Sequence, residues 1–152
     1  MTDILIDTNI LMHANNNHEN TQGDCIALLE YLLSSSEMIC VDNEIDLDKS
    51  MILHEYYDNL KTHGTAGRNF IERMLRLKRF KPVTRQTEHR VTKIINQHIN
   101  RDKHVDKIFI KTTYNSADKT FVSHDYEDFQ DHKRVFFKRT LNINIIQARD
   151  LL

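Results

Sequence analysis

The apolar positions of this chain fall into two alternating rhythms. Short runs rich in β-branched residues predict strands, and longer stretches with apolar residues every three or four positions predict helices. Ile4-Leu5-Ile6 is the first run, ended by Asp7-Thr8-Asn9, where Thr8 or Asn9 can cap a helix. After Asn15-Asn16-Asn17, residues Ile26, Leu28, Leu29, Leu32 and Leu33 keep helical spacing up to Ser34-Ser35-Ser36. Met38-Ile39-Cys40-Val41 reads as a second strand. Asp46 or Asp48 can cap a helix bearing Met51, Ile52, Glu55, Tyr56 and Leu60, closing near His63-Gly64. A basic helix follows through Phe70, Ile71, Met74, Leu75 and Leu77, and Lys81-Pro82 stops it, because proline disfavours helix in the preceding residue. Helices are predicted over 86–99, 102–114 and 130–138, with strands at 120–123 and 143–146.

Strands separated by helices predict an α/β fold, a three-layer α/β/α sandwich around a central, mainly parallel sheet. At 152 residues, without repeats or linkers, one domain over 1–152 is expected. No apolar stretch has the length of a membrane span, and Met1-Thr2-Asp3 carries no basic leader, so the expected compartment is the cytoplasm, without membrane contact. Cys25 and Cys40 lie in apolar patterns outside any CxxC pair and read as buried thiols. The nine histidines show no HxxxH or HExxH spacing, which gives zinc little support.

A net charge of −1 conceals an uneven chain. Residues 1–60 hold twelve acidic groups and one base, Lys49, whereas residues 61–152 hold ten acidic groups and twenty bases. Within Arg68–Lys93 nine bases, Arg68, Arg73, Arg76, Lys78, Arg79, Lys81, Arg85, Arg90 and Lys93, stand against Glu72 and Glu88. They form either a solvated face paired with the acidic half or a polyanion-binding surface beside a cation-seeking pocket.

Ligands of open parallel sheets sit beyond the carboxyl ends of strands. Two predicted strand ends carry aspartate, Asp7 and Asp125. Singly, each suits a helix cap. Together with the acidic helices they suggest converging carboxylates, whose repulsion a hard divalent ion relieves.

With these residues in view, the chain resembles the PIN-domain ribonucleases. Ile4-Leu5-Ile6-Asp7-Thr8-Asn9-Ile10-Leu11 is similar to the family's opening strand and Asp-Thr-Asn signature. Glu55 in Met51-Ile52-Leu53-His54-Glu55-Tyr56 resembles its helical glutamate, and Asp106 its third acidic position. Asp102 is the other candidate for that position. Val122-Ser123-His124-Asp125-Tyr126-Glu127-Asp128-Phe129 is similar to the family's Thr-x-Asp-x-x-Phe strand end, with Ser123 for threonine. The resemblance spans nearly the whole chain. It implies Asp7, Glu55, Asp106 and Asp125 as catalytic residues holding Mg2+ or Mn2+, with Thr8, Asn9 and Ser123 orienting them.

The implied activity is hydrolysis of RNA by in-line attack of water. The basic stretch, with Lys107 and Lys111, would hold phosphates; Tyr56, Tyr57 and Tyr126 are candidates for stacking on bases. A free-standing protein of this kind would act as a toxin, in defence or in RNA processing. Its partners would be RNA, a second copy, and an antitoxin or other regulatory protein. The competing reading is a catalytically silent PIN-like module for RNA or protein binding. A calcium loop is disfavoured: Glu44-x-Asp46-x-Asp48 leads to Glu55 at the twelfth place, but Lys49 occupies the sixth, where that loop turns on glycine.

Overall fold

The computed structural model describes residues 2–152; Met1, part of the Met1-Thr2-Asp3 stretch read above, lies outside them. Five parallel strands form one sheet, with seven α-helices and a closing 3-10 turn around it, an α/β architecture of three layers. In chain order these are β1 (Asp3–Ile6), α1 (Thr8–Ala14), α2 (Gln22–Ser34), β2 (Met38–Asp42), α3 (Met51–Asn59), α4 (Ala66–Arg76), β3 (Phe80–Val83), α5 (His89–His98), α6 (His104–Asn115), β4 (Thr120–Val122), α7 (Asp131–Leu141) and β5 (Asn144–Ile146). Helices α1, α2 and α4 pack together, as do α3, α5 and α6, while α7 lies on β5.

The strand order is β3-β2-β1-β4-β5. Strand β1 is central, and its four residues are all buried, as a parallel strand covered on both faces requires. From β1 the chain winds outward through β2 and β3, then returns to place β4 on the other flank of β1. The direction of winding therefore reverses between β1 and β4, which opens a crevice at their carboxyl ends.

Several local expectations are corrected. The basic helix stops at Arg76, five residues before Lys81, because Lys78 turns the chain with φ of 55°. Residues 80–83 then form a strand that the sequence pattern did not suggest. Pro82 is compatible with it because β3 is an edge strand. Asp7, rather than Thr8 or Asn9, occupies the N-cap of α1. Ser50, rather than Asp46 or Asp48, caps α3, its hydroxyl accepting the N–H of Leu53 at 3.0 Å. Helix α5 starts at His89, not 86, and α6 at His104, leaving Asp102 in an exposed turn outside the helix. Cys25 and Cys40 are free, buried thiols.

The two ends of the sheet treat their acidic residues differently. At the amino end, buried Asp3 accepts Lys81 Nζ at 2.9 Å and the N–H groups of Ala117 and Asp118. Burial alone raises its carboxyl, but these donors more than offset it and leave the group below its ordinary value. At the carboxyl end of β2, Asp42 is equally buried and saturated. It accepts Ser50 Oγ and Ile52 N at 2.8 Å, Arg85 Nη1 at 2.9 Å and Met51 N at 3.0 Å. Both are structural anchors.

Candidate metal centre

The carboxyl ends of β1 and β4 carry carboxylates that are not saturated in this way. Asp7 follows β1 and is almost wholly buried. One side-chain donor reaches it, the Ser123 hydroxyl at 2.6 Å. Burial dominates and lifts its carboxyl to about 6, and the nearby charge of Asp125 adds to the rise.

Asp125 lies beyond β4, in a tight turn that its own carboxylate stabilises. Its Oδ1 accepts the N–H of Glu127 at 3.0 Å and of Asp128 at 2.9 Å. The turn swings the Asp128 side chain to the same place. Asp106, in the first turn of α6, comes from the opposite side. Carboxylate oxygens of Asp106, Asp125 and Asp128 all lie within 4.8 Å of one another.

This crowding shows in the acid–base behaviour. Burial, a hydrogen bond to Asp128 and the charges of Asp7, Asp128 and Asp125 push Asp106 up to about 8. Asp128 moves the other way: burial opposes ionisation, but hydrogen bonds with Asp106 and Asp125 and the charge of Lys103, 3.5 Å away, hold it low. Asp106 thus carries a proton that it offers to Asp128.

Ser123 joins the two strand ends. Its hydroxyl donates to Asp7 while accepting the N–H of Asp125 at 3.1 Å. Asn9 Oδ1 accepts the N–H of His124 at 3.3 Å, fastening α1 to the same loop. The hydroxyl of Thr8 is buried without a hydrogen-bond partner.

Of the acidic residues that the sequence suggests, Asp106 and Asp125 are gathered, and Asp7 adjoins them, linked to Asp125 through the Ser123 hydroxyl and near enough for its charge to act on Asp106. Glu55 is not among the gathered carboxylates: half-buried on α3, its Oε1 accepts Asn59 Nδ2 at 3.1 Å. Asp128 enters the group instead. Its signal in the sequence was present, since an aspartate three residues after Asp125 shares the turn that Asp125 nucleates.

Arg134 was also missed. It is 9 % exposed. Its Nε donates to the carbonyl of Phe129 at 2.7 Å, and Nη2 donates to those of Ser123 (3.1 Å) and Asp125 (3.0 Å). The guanidinium also stacks over Tyr126, 4.0 Å from the ring centre. One residue of α7 therefore ties down the whole loop carrying Asp125 and Asp128.

Behind this loop, ligand atoms of His13, Cys25 and His124 also lie within 4.8 Å of one another. His124 Nε2 accepts the N–H of Ala148 at 3.0 Å, which puts the ring hydrogen on Nδ1, 3.7 Å from Cys25 Sγ. Nδ1 thus presents a hydrogen, not a lone pair, to the space between the three. Burial pushes the Cys25 thiol up to about 11, so it stays protonated. His124 thus links Cys25 of α2 to Ala148 of the closing turn, while His13 bonds Thr21 beside them.

The basic stretch is largely committed to the fold. Arg68 bonds Glu72 at 2.7 Å and the Leu60 carbonyl at 2.9 Å, with its charge over Tyr57. Arg79 holds the carbonyls of Glu37 and Leu32, and Lys81 and Arg85 serve Asp3 and Asp42. Arg73, Arg76 and Lys78 remain exposed. Tyr56 is buried, its hydroxyl donating to the Ile6 carbonyl, so it is unavailable for base stacking.

The chain matches no family model, and no curated protein is similar to it in sequence. No helix among the described residues is long and apolar enough to cross a membrane.

Proposed function

We propose that the protein is a divalent-metal-dependent endoribonuclease whose centre is formed by Asp7, Asp106, Asp125 and Asp128. One observation carries this reading: three carboxylates from two separate parts of the chain lie within 4.8 Å of one another at the switch point of a parallel sheet, close enough to the strand-end Asp7 for the charges to act on each other, and both Asp7 and Asp106 resist ionisation there. Such crowding is costly for a purely structural arrangement, as the saturated Asp3 and Asp42 illustrate by contrast. The donors are all carboxylate oxygens, the set preferred by Mg2+ or Mn2+. The buried, unpartnered Thr8 hydroxyl adds a further oxygen beside Asp7. The sequence resemblance to PIN-domain ribonucleases supports the same reading.

When bound, the ion would polarise a phosphate oxygen and acidify a water for attack on phosphorus. The chain's own residues would do the rest. Asp7 and Asp125 would be direct ligands, held at a fixed separation by the shared Ser123 hydroxyl. Asp106 would release its proton as the ion enters. Lys103 would keep Asp128 ionised.

The test is cleavage of single-stranded RNA by the purified protein with manganese, repeated with chelator. Manganese-dependent cutting, lost in Asp7→Asn with its circular dichroism unchanged, is the expected result. Full activity in that variant would remove the assignment. The place of Glu55, outside the gathered carboxylates, favours the second reading, a silent RNA- or protein-binding module. That reading predicts no cutting under either condition.

A further inference from the structure

We infer that the hollow between α5 and α6, lined by Arg85, Gln86, Thr87, Thr92, His104 and Lys111, seats the phosphate backbone of a single RNA strand on its way to the acidic centre. The inference takes the identity of the polyanion from the ribonuclease reading. The hollow itself stands on independent geometry. It holds about 450 Å3, with Ile108 completing its wall, and no acidic side chain lines it. It opens just beyond Val83, the last residue of β3, at the same end of the sheet as Asp7 and Asp125.

The charge of the lining is uncommitted where it matters. Lys111 and His104 make no ion pair among the described residues. Spaced seven apart, they lie on one face of α6. Arg85 bonds Asp42 through Nη1 alone, and its side chain is 32 % exposed. Its remaining guanidinium hydrogens are thus available, while Asp42 fixes where they stand. The hydroxyls of Thr87 and Thr92, bonded to each other at 2.6 Å, supply a polar edge. This is the combination that holds phosphate oxygens without reading bases. The adjoining hollow of about 570 Å3 differs: Glu44 and Asp48 line it with Lys49, which makes it a poor anion seat.

The route to the carboxylates is short. His104 opens α6 and Asp106 follows two residues later, on the far side of the helix. A strand leaving the hollow need only cross the amino end of α6, past Lys107, a span of about 10 Å set by the helix diameter. Positive charge at a helix amino end favours that path. Bounded by a helix on each side, the hollow suits one backbone, not the two of a duplex. The exposed bases Arg73, Arg76 and Lys78 belong to or follow α4, in the other helical layer.

The test is fluorescence anisotropy with a short labelled single-stranded RNA, in chelator so that the metal centre plays no part. Lys111→Ala should weaken binding roughly three- to tenfold at low salt and flatten the salt dependence by about one phosphate contact. Lys111→Arg should restore both, and Arg76→Ala with Lys78→Ala should change neither. Equal losses in the two sets of variants, no effect of Lys111→Ala, tighter binding of duplex than single strand, or no binding by the unaltered protein would each overturn the inference. RNA bound through Lys111 but never cut with manganese would remove the ribonuclease reading and leave the groove standing.

Discussion

The Ser123 hydroxyl donates to the Asp7 carboxylate 2.6 Å away, joining the ends of two adjacent strands whose residues lie 116 positions apart. That oxygen also accepts the Asp125 N–H, so one side chain sets the spacing of two acidic groups. Ser123→Ala leaves a buried carboxylate without its side-chain donor. The expected cost is about 1–3 kcal/mol, read by denaturant unfolding, together with weaker manganese binding by calorimetry. Ser123→Thr keeps the hydroxyl and should retain manganese affinity.

The raised carboxyls make stability depend on pH in a definite direction. Asp7 at about 6 and Asp106 at about 8 both lie above the ordinary aspartate value of 3.8. Between that value and 8 the unfolded chain has released protons that the native state still holds, so metal-free stability falls as pH rises. The melting temperature measured in chelator should decline from pH 5 to pH 8.5. Asp106→Asn should remove most of the decline above pH 6.5. Manganese should raise the melting temperature more at pH 8 than at pH 5, because the ion stabilises the ionised group.

The gathering of Asp128 and the separate position of Glu55 lead to a comparison of two variants. Asp128→Asn should lower manganese-dependent cleavage by roughly 10–100-fold, whereas Glu55→Gln should have the smaller effect. Initial rates at saturating manganese decide it. A larger loss in Glu55→Gln would show that a group outside the cluster governs the reaction.

Arg134→Met replaces a guanidinium that satisfies three carbonyls with a side chain that satisfies none. A loss of about 2–4 kcal/mol is expected, or a melting temperature lower by roughly 10 °C. Amide exchange should quicken first between 123 and 129, ahead of the central strands.

Gly67 is a packing prediction away from the centre. A Cβ placed there would sit 2.6 Å from the Leu11 carbonyl oxygen, backbone that belongs to α1. Alanine normally favours helices, yet Gly67→Ala should destabilise by about 1–3 kcal/mol because α4 must move away from α1. Chemical denaturation measures the sign directly.

The sheet was legible where apolar runs are uninterrupted. Ile4-Leu5-Ile6 and Met38–Val41 announce buried strands, and the strand-end position of Asp7 follows from them. Strand β3 was not legible, since Phe80-Lys81-Pro82-Val83 alternates like neither helix nor buried strand and contains a proline. Its pairing with β2 and the Lys81–Asp3 contact are tertiary, and no local pattern encodes them. The same limit applies to charge. Arg68 to Arg85 read as one basic face, but partners 4 to 78 residues away claim four of its members. Asp128 escaped because its place depends on a turn geometry that Asp125 creates.

The position of β4 beside β1 has a temporal corollary for a chain made from its amino end. Asp7 is made well before Asp106, Asp125 and Asp128, which follow 99 or more residues later. A nascent or truncated polypeptide ending before the 123–129 turn lacks half of the acidic quartet and the Ser123 bridge. On the ribonuclease reading, the nascent chain would hold no complete centre until that turn had been made, and the transcript being translated would be spared up to that point.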